Sequence, residues 1–111
     1  MILVSKQFLR VFTFSFADAI VLFPFIILRS RALADNQQLI RHEKVHLRQQ
    51  AEMLVIFFYI WYLLEYLLRR LGGRSHMGAY LRISFECEAR AHETNPGYLP
   101  ERKFWAFLRW L

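Results

Sequence analysis

Residues 42–46 read His-Glu-Lys-Val-His. On an α-helix, His42 and His46 lie one turn apart on the same face and can aim two imidazoles at one point. Glu43 sits about 100° round such a helix from His42, close enough to hold a water there. Two neutral nitrogens beside a carboxylate suit Zn²⁺, one per chain, with Glu43 as general base on a zinc-bound water. The plain alternative is a solvated helix face that carries two histidines. A catalytic zinc takes three protein ligands and keeps a fourth position open, so a third donor must come from elsewhere. The stretch 79–94 offers Glu86, Glu88, His92 and Glu93. Residues two apart on a helix point about 200° apart, so only one of Glu86 and Glu88 can face the metal.

The elements that must position these groups follow from punctuation and pattern. Asp35 and Asn36 supply a helix start, and Gln38, three residues beyond Asp35, completes a capping box. No Gly or Pro interrupts the chain from there to Arg70, and Gly72-Gly73 marks the stop. The first half of this stretch, 36–52, is polar and carries the histidines. In the second half, MLVIFFYIWYLLEYLLRR, twelve uncharged residues precede Glu65, too few to span a bilayer. Tyr59, Trp61, Tyr62 and Tyr66 cluster as aromatic residues do at a membrane interface, which favours an interfacial or partly inserted segment over a plain core helix.

A third helix is expected over 79–94, after a glycine-bearing loop at 72–78 and before Pro96-Gly97. A last helix is expected in ERKFWAFLRWL from Pro100, either plugging the core or lying in lipid headgroups. Chain length then sets a condition. A straight helix climbs about 36 Å from His46 to Arg70. The return to Glu86 has about 30 Å of extended loop and about 10 Å of helix, which leaves nothing to spare. The long helix is therefore predicted to bend or break between Gln50 and Phe58, although neither Pro nor Gly stands there.

Residues 11–28 are almost wholly apolar, interrupted by Asp18 and Pro24. A transmembrane helix would be barely long enough and would carry a costly mid-span carboxylate. Lys6 and Arg10 with Ala32-Leu33-Ala34 suggest a secretory signal, which Arg29 and Arg31 oppose. Two strands, AIVLF and FIILR either side of Pro24, fit the β-branched and aromatic content and are the favoured reading for 19–29. A membrane-inserted helix over 8–23, or simple core, stays open.

With 111 residues the chain is one domain, 1–111. It is 56% hydrophobic yet carries a formal charge of +6, and so much apolar surface cannot all be hidden in so small a body. Basic pairs flank the apolar runs (Arg29 and Arg31, Arg69 and Arg70, Arg102 and Lys103), which suits an anionic membrane surface. The charges form no single stripe and no nucleic-acid-binding motif appears, so nucleic acid is not the expected partner. Cys87 is the sole cysteine, which excludes an internal disulfide.

His-Glu-x-x-His-x-x-Gln-Gln at 42–50, with Glu-x-Glu-Ala at 86–89, resembles the gluzincin zinc metallopeptidases. The likeness is nearest to the membrane-embedded CAAX-protease type and to small bacterial domains with a Glu-x-Glu-Ala-Asp second motif. It covers about a dozen residues in two patches. It implies His42, His46 and Glu86 as zinc ligands and Glu43 as general base. A frame shifted by two would make Glu88 the ligand and put His92 in the supporting place, and His92 as a third ligand is a further reading. Arg90 stands where the family has Asp, so the carboxylate that steadies a ligand imidazole must be supplied otherwise. Glu93 and Arg90 read as a solvated face.

His76 or Tyr80 could donate to an oxyanion, against a reading as ordinary exposed residues. Gln49 or Gln50 could hydrogen-bond a ligand. A strand at 25–29 would fit the edge strand along which zincin substrates add. The expectation is a mainly α domain, with α+β open: a zincin-like helical core with a short β-hairpin or edge strand before the histidine helix. The expected activity is hydrolysis of peptide bonds in a peptide or protein substrate at a membrane, in a bacterial inner-membrane setting, with membrane lipid as a partner and a homo-oligomer compatible. The runner-up is a non-catalytic membrane-associated scaffold with a structural metal or none.

Overall fold

The computed structural model describes residues 2–13 and 17–111. The protein is mainly α with one small three-stranded sheet. Strand β1 (Ile2–Val4) is followed by helix α1 (Lys6–Thr13), then by the hairpin of β2 (Ala19–Leu22) and β3 (Phe25–Leu28), which turns at Phe23 and Pro24. The expected pair of strands about Pro24 therefore forms. A helix over 8–23 does not, because 19–22 is strand; residues 14–16 of that alternative lie outside the described residues.

β3 pairs with β2 antiparallel and with β1 parallel, giving the order β1-β3-β2. The sequence led us to expect the edge strand at 25–29; that segment is instead the central strand, and β1 and β2 are the edges. The N-terminal residues claim the far side of β3, and Ile26, Ile27 and Leu28 are all buried, as a central strand's residues are. On β2, Ala19 and Val21 turn inward together by the two-residue alternation of a strand. They meet Ile26 and Leu28 across the register and pack against Leu39, Ile40 and Leu47.

A 3₁₀ turn (Arg31–Asp35) leads into α2 (Gln37–Met53), which carries the histidines. Its N-cap is Asn36, whose side chain accepts from the Leu39 N–H at 3.1 Å. The Asp35–Gln38 box does not form: the 3₁₀ turn takes up Asp35, and Gln38 reaches Glu93 instead. The predicted break occurs at Leu54, where φ is 61° and ψ 153°. There α2 gives way to α3 (Val55–Leu71) at an angle of 111°. A leucine rarely adopts this backbone, and holding it costs about 1–3 kcal/mol. Packing on both sides enforces it: Gln50 is tied to the hairpin, while Phe58 must turn into the core against Phe85.

Among the described residues no single helix is long and apolar enough to cross a membrane; α2 and α3 pass that test only as a pair, bent at Leu54. α3 buries Phe58 and Glu65 and leaves most of its remaining circumference exposed, including Ile56 at 72%.

The expected third helix is two, α4 (His76–Leu81) and α5 (Ser84–His92), with Ile83 extended between them. Glu65 of α3 causes the break. Its carboxylate accepts from the Ser84 N–H at 2.8 Å, from the Ser84 hydroxyl, and from Trp61 Nε1–H at 2.7 Å. A buried carboxylate is thereby placed on the start of α5, where the helix dipole favours it.

The last expected helix also divides, into α6 (Tyr98–Glu101) and a 3₁₀ turn (Ala106–Trp110), with Trp105 left-handed at φ 59°. Arg102 and Phe107 both turn inward, Phe107 into the cluster of Met53, Phe58, Ile83 and Phe85. On one continuous helix they would point about 140° apart, so the backbone breaks to bury both.

Candidate metal centre

α2 presents His42 and His46 one turn apart, and α5 presents Glu86 opposite them. His42 Nε2 lies 3.1 Å and His46 Nε2 3.2 Å from the same atom, Glu86 Oε1. One potential ligand atom from each of the three residues falls within 4.8 Å of the others. Donors bonded tetrahedrally to zinc at 2.0–2.1 Å stand about 3.3 Å apart, so the His–Glu spacings match edges of such a shell.

The other ring nitrogens are held from behind. His42 Nδ1 is 2.6 Å from Glu93 Oε2, and His46 Nδ1 is 2.7 Å from Gln49 Oε1. The Gln49 amide can sit only one way, because its Nε2 donates to the Phe85 carbonyl at 3.1 Å and to Glu88 Oε1 at 2.9 Å. Its oxygen must then accept from His46 Nδ1–H, which leaves the lone pair of a neutral His46 on Nε2, aimed at Glu86. The Glu93 carboxylate sets the same tautomer in His42. Two nitrogen lone pairs converging on one carboxylate oxygen repel unless protons or a cation lie between them.

The electrostatics follow this geometry. Burial alone would lower the pKa of His46, but the Glu86 charge and hydrogen bond, with Glu43 beyond, raise it to about 9. Burial opposes ionisation of Glu86, yet His46 and the hydrogen bonds from both histidines hold its pKa below the usual carboxylate range. Tyr62 O–H donates to Glu86 Oε2 at 2.8 Å and so turns Oε1 to the histidines, where it also accepts from Tyr80 O–H at 3.3 Å. Glu43 is buried and its pKa is raised by that burial, against the opposing pull of His46 and His42.

Glu43, His46 and Glu86 form part of the lining of a cleft of about 520 Å³, closed on one side by β2 and on the other by α3 and α4. His76 and Tyr80, read from sequence as either donors or surface residues, both line it, and His76 Nδ1 is 2.7 Å from the Tyr66 hydroxyl. The strand along the cleft is β2, through Ala19, Ile20 and Val21, not the 25–29 segment. Gln50 and Tyr59 brace that strand. Gln50 Nε2 donates to the Val21 carbonyl at 2.7 Å, its Oε1 accepts from Phe23 N–H at 2.8 Å, and the Tyr59 hydroxyl also donates to Val21.

Of the alternatives weighed from sequence, Glu86 faces the histidines and Glu88 does not. Glu88 is engaged by Arg102, by Tyr98 at 2.6 Å and by Gln49. His92 stacks on Tyr98 with ring centroids 3.6 Å apart. Arg90 reaches the Leu81 carbonyl, away from the site. Glu93 is not the solvated residue expected: it supplies the supporting carboxylate that Arg90 cannot. The signal for it was present, since Glu93 lies seven residues after Glu86 and so returns to the same helix face. Tyr62 carried no local signal, because its role depends on the bend at Leu54.

No protein-family model, curated protein or solved structure matches this chain.

Proposed function

We propose that the chain is a zinc-dependent peptidase that works at a membrane surface, with His42, His46 and Glu86 as the metal ligands and Glu43 as general base. The observation that carries this reading is the convergence of both Nε2 atoms on Glu86 Oε1, with each Nδ1 held from behind, at the floor of an open cleft. A Zn²⁺ ion held there would supply a Lewis acid for a peptide carbonyl and acidify a neighbouring water.

The rest is the work of the chain itself. Glu43 takes a proton from the attacking water as hydroxide adds to the carbonyl carbon, and returns it to the amine nitrogen as the C–N bond breaks. Burial raises its pKa, and a more basic carboxylate takes up a proton more readily. Tyr62 fixes Glu86, Gln49 and Glu93 fix the imidazoles, and Tyr80 and His76, which line the same cleft, are the proposed donors to the carbonyl oxygen.

Metal analysis with activity assays tests the reading. Zinc near one per chain should be lost in His46→Ala, and Glu43→Gln should keep zinc while losing hydrolysis. Zinc retained in His46→Ala, or full activity in Glu43→Gln, would remove it. A zinc-loaded wild type that cleaves nothing would return the protein to a non-catalytic scaffold.

A further inference from the structure

We propose that the cleft takes its peptide sideways from an anionic lipid surface, so that the substrate is an uncharged, apolar stretch lying in the headgroup layer. This rests on the peptidase reading above. At about 100° per residue, Tyr62, Tyr59 and Leu63 occupy a continuous arc of α3 that walls the cleft. The exposed apolar arc begins where that wall ends and runs through Ile56, Ile60, Leu64 and Leu68. Leu63 belongs to both: it lines the cleft and is itself exposed. The cleft mouth therefore opens along the border of the apolar face.

That face carries no exposed charge from Leu54 to Leu68, because Glu65 is turned inward. Its length, Val55–Leu68, is about 21 Å, short of the roughly 30 Å of a hydrocarbon core, so α3 can sink into one leaflet without crossing. Arg69, Arg70 and Arg74 stand at its end, at the level of lipid phosphates.

The charge distribution selects lipid over a second copy as the occupant. Among the nine acidic residues, Glu43, Glu65, Glu86 and Glu88 are buried, and Glu52 and Glu93 are held by Arg102 and His42. Asp18 pairs with Arg29, which leaves Asp35 and Glu101 against a surface rich in Lys and Arg. Two such surfaces repel, whereas an anionic bilayer complements both the arginines and the apolar face.

Away from Glu43, Glu86 and the histidines at its floor, the cleft offers a charged side chain no partner. Among the described residues no Lys, Arg or Asp lines it, and its walls are Ile20, Val21, Phe58, Leu63 and the tyrosines. An apolar peptide lying at the boundary between headgroups and acyl chains has already left bulk water, so it would enter the cleft with less to desolvate.

The test uses vesicles of phosphatidylglycerol and phosphatidylcholine and a fluorogenic peptide of uncharged apolar residues, either free or tethered by an acyl chain. The full chain should float with these vesicles and not with phosphatidylcholine alone. It should cleave the tethered peptide about tenfold or more faster than the free one. Replacing Ile60 and Leu64 together by Gln, on the outer arc away from the cleft, should abolish flotation and the advantage of the tether. Absent flotation, equal cleavage of the two peptides, or a stable dimer that masks this face would overturn the inference. Because flotation needs no catalysis, a Glu43→Gln chain that floats yet cleaves as fast as wild type would fail the peptidase reading alone.

Discussion

Replacing Arg102 by Met tests whether the C-terminal segment is anchored by charge. The Arg102 side chain is 0% exposed, and its partners Glu88 and Glu52 are 0% and 7% exposed. Arg102 Nε donates to Glu88 Oε2 at 2.5 Å, Nη2 to Glu88 Oε1 at 3.1 Å, and Nη1 to Glu52 Oε2 at 2.6 Å. Methionine keeps most of the stem's volume, so the main loss is the cation, which strands two carboxylates in the interior. Breaking a buried pair in this way costs about 3–5 kcal/mol. A domain of this size has roughly 5–15 kcal/mol of stability in all, so the thermal midpoint should fall by roughly 10–30 °C.

Urea and thermal unfolding followed by circular dichroism measure this directly. Adding Glu88→Gln and Glu52→Gln to the variant should recover a substantial part of the loss, because the stranded charges are then gone. The gap between wild type and variant also depends on pH. Burial raises the Glu88 pKa, but hydrogen bonds from Arg102, Tyr98 and Gln49 outweigh it and hold it below the ordinary carboxylate value. A depressed carboxylate stabilises above its unfolded pKa and loses that contribution as pH falls through the folded value. The gap should therefore be full at neutral pH and narrow in acid below about pH 4. A loss under about 1 kcal/mol, the range of exposed pairs, would refute the reasoning.

Other perturbations read other parts of the structure. Glu93→Ala should leave the fold intact but weaken zinc binding about 10- to 100-fold in a chelator competition, because His42 loses the group that orients it. Leu54→Gly should raise the unfolding free energy by about 1 kcal/mol, since glycine accepts the bend at little cost and gives back part of that gain in chain entropy. Gln50→Leu strands the Phe23 N–H and one bond to Val21, and should lower stability in urea by about 1–3 kcal/mol.

Much of the site could be read in the sequence because its signals are local. The four-residue spacing of His42 and His46 fixes a shared helix face, and chain length alone required the bend that falls at Leu54. The hairpin about Pro24 was legible from its β-branched runs. What escaped depends on contacts between distant residues. Glu65 splits a helix nineteen residues away by seizing Ser84. Arg102 breaks the last helix by turning toward Glu52, fifty residues earlier. The edge of the sheet was misplaced because residues 2–4, too short a run to announce a strand, occupy the far side of β3.

The bracing of β2 by Gln50 and Tyr59 bears on solubility as well as on the cleft. An open sheet margin invites another chain to stack on it, and a sequence this rich in Ile, Phe and Val would be prone to fibrous association. With the Val21 carbonyl and the Phe23 amide already committed to side chains of the same molecule, the last part of that margin offers no template to a neighbour.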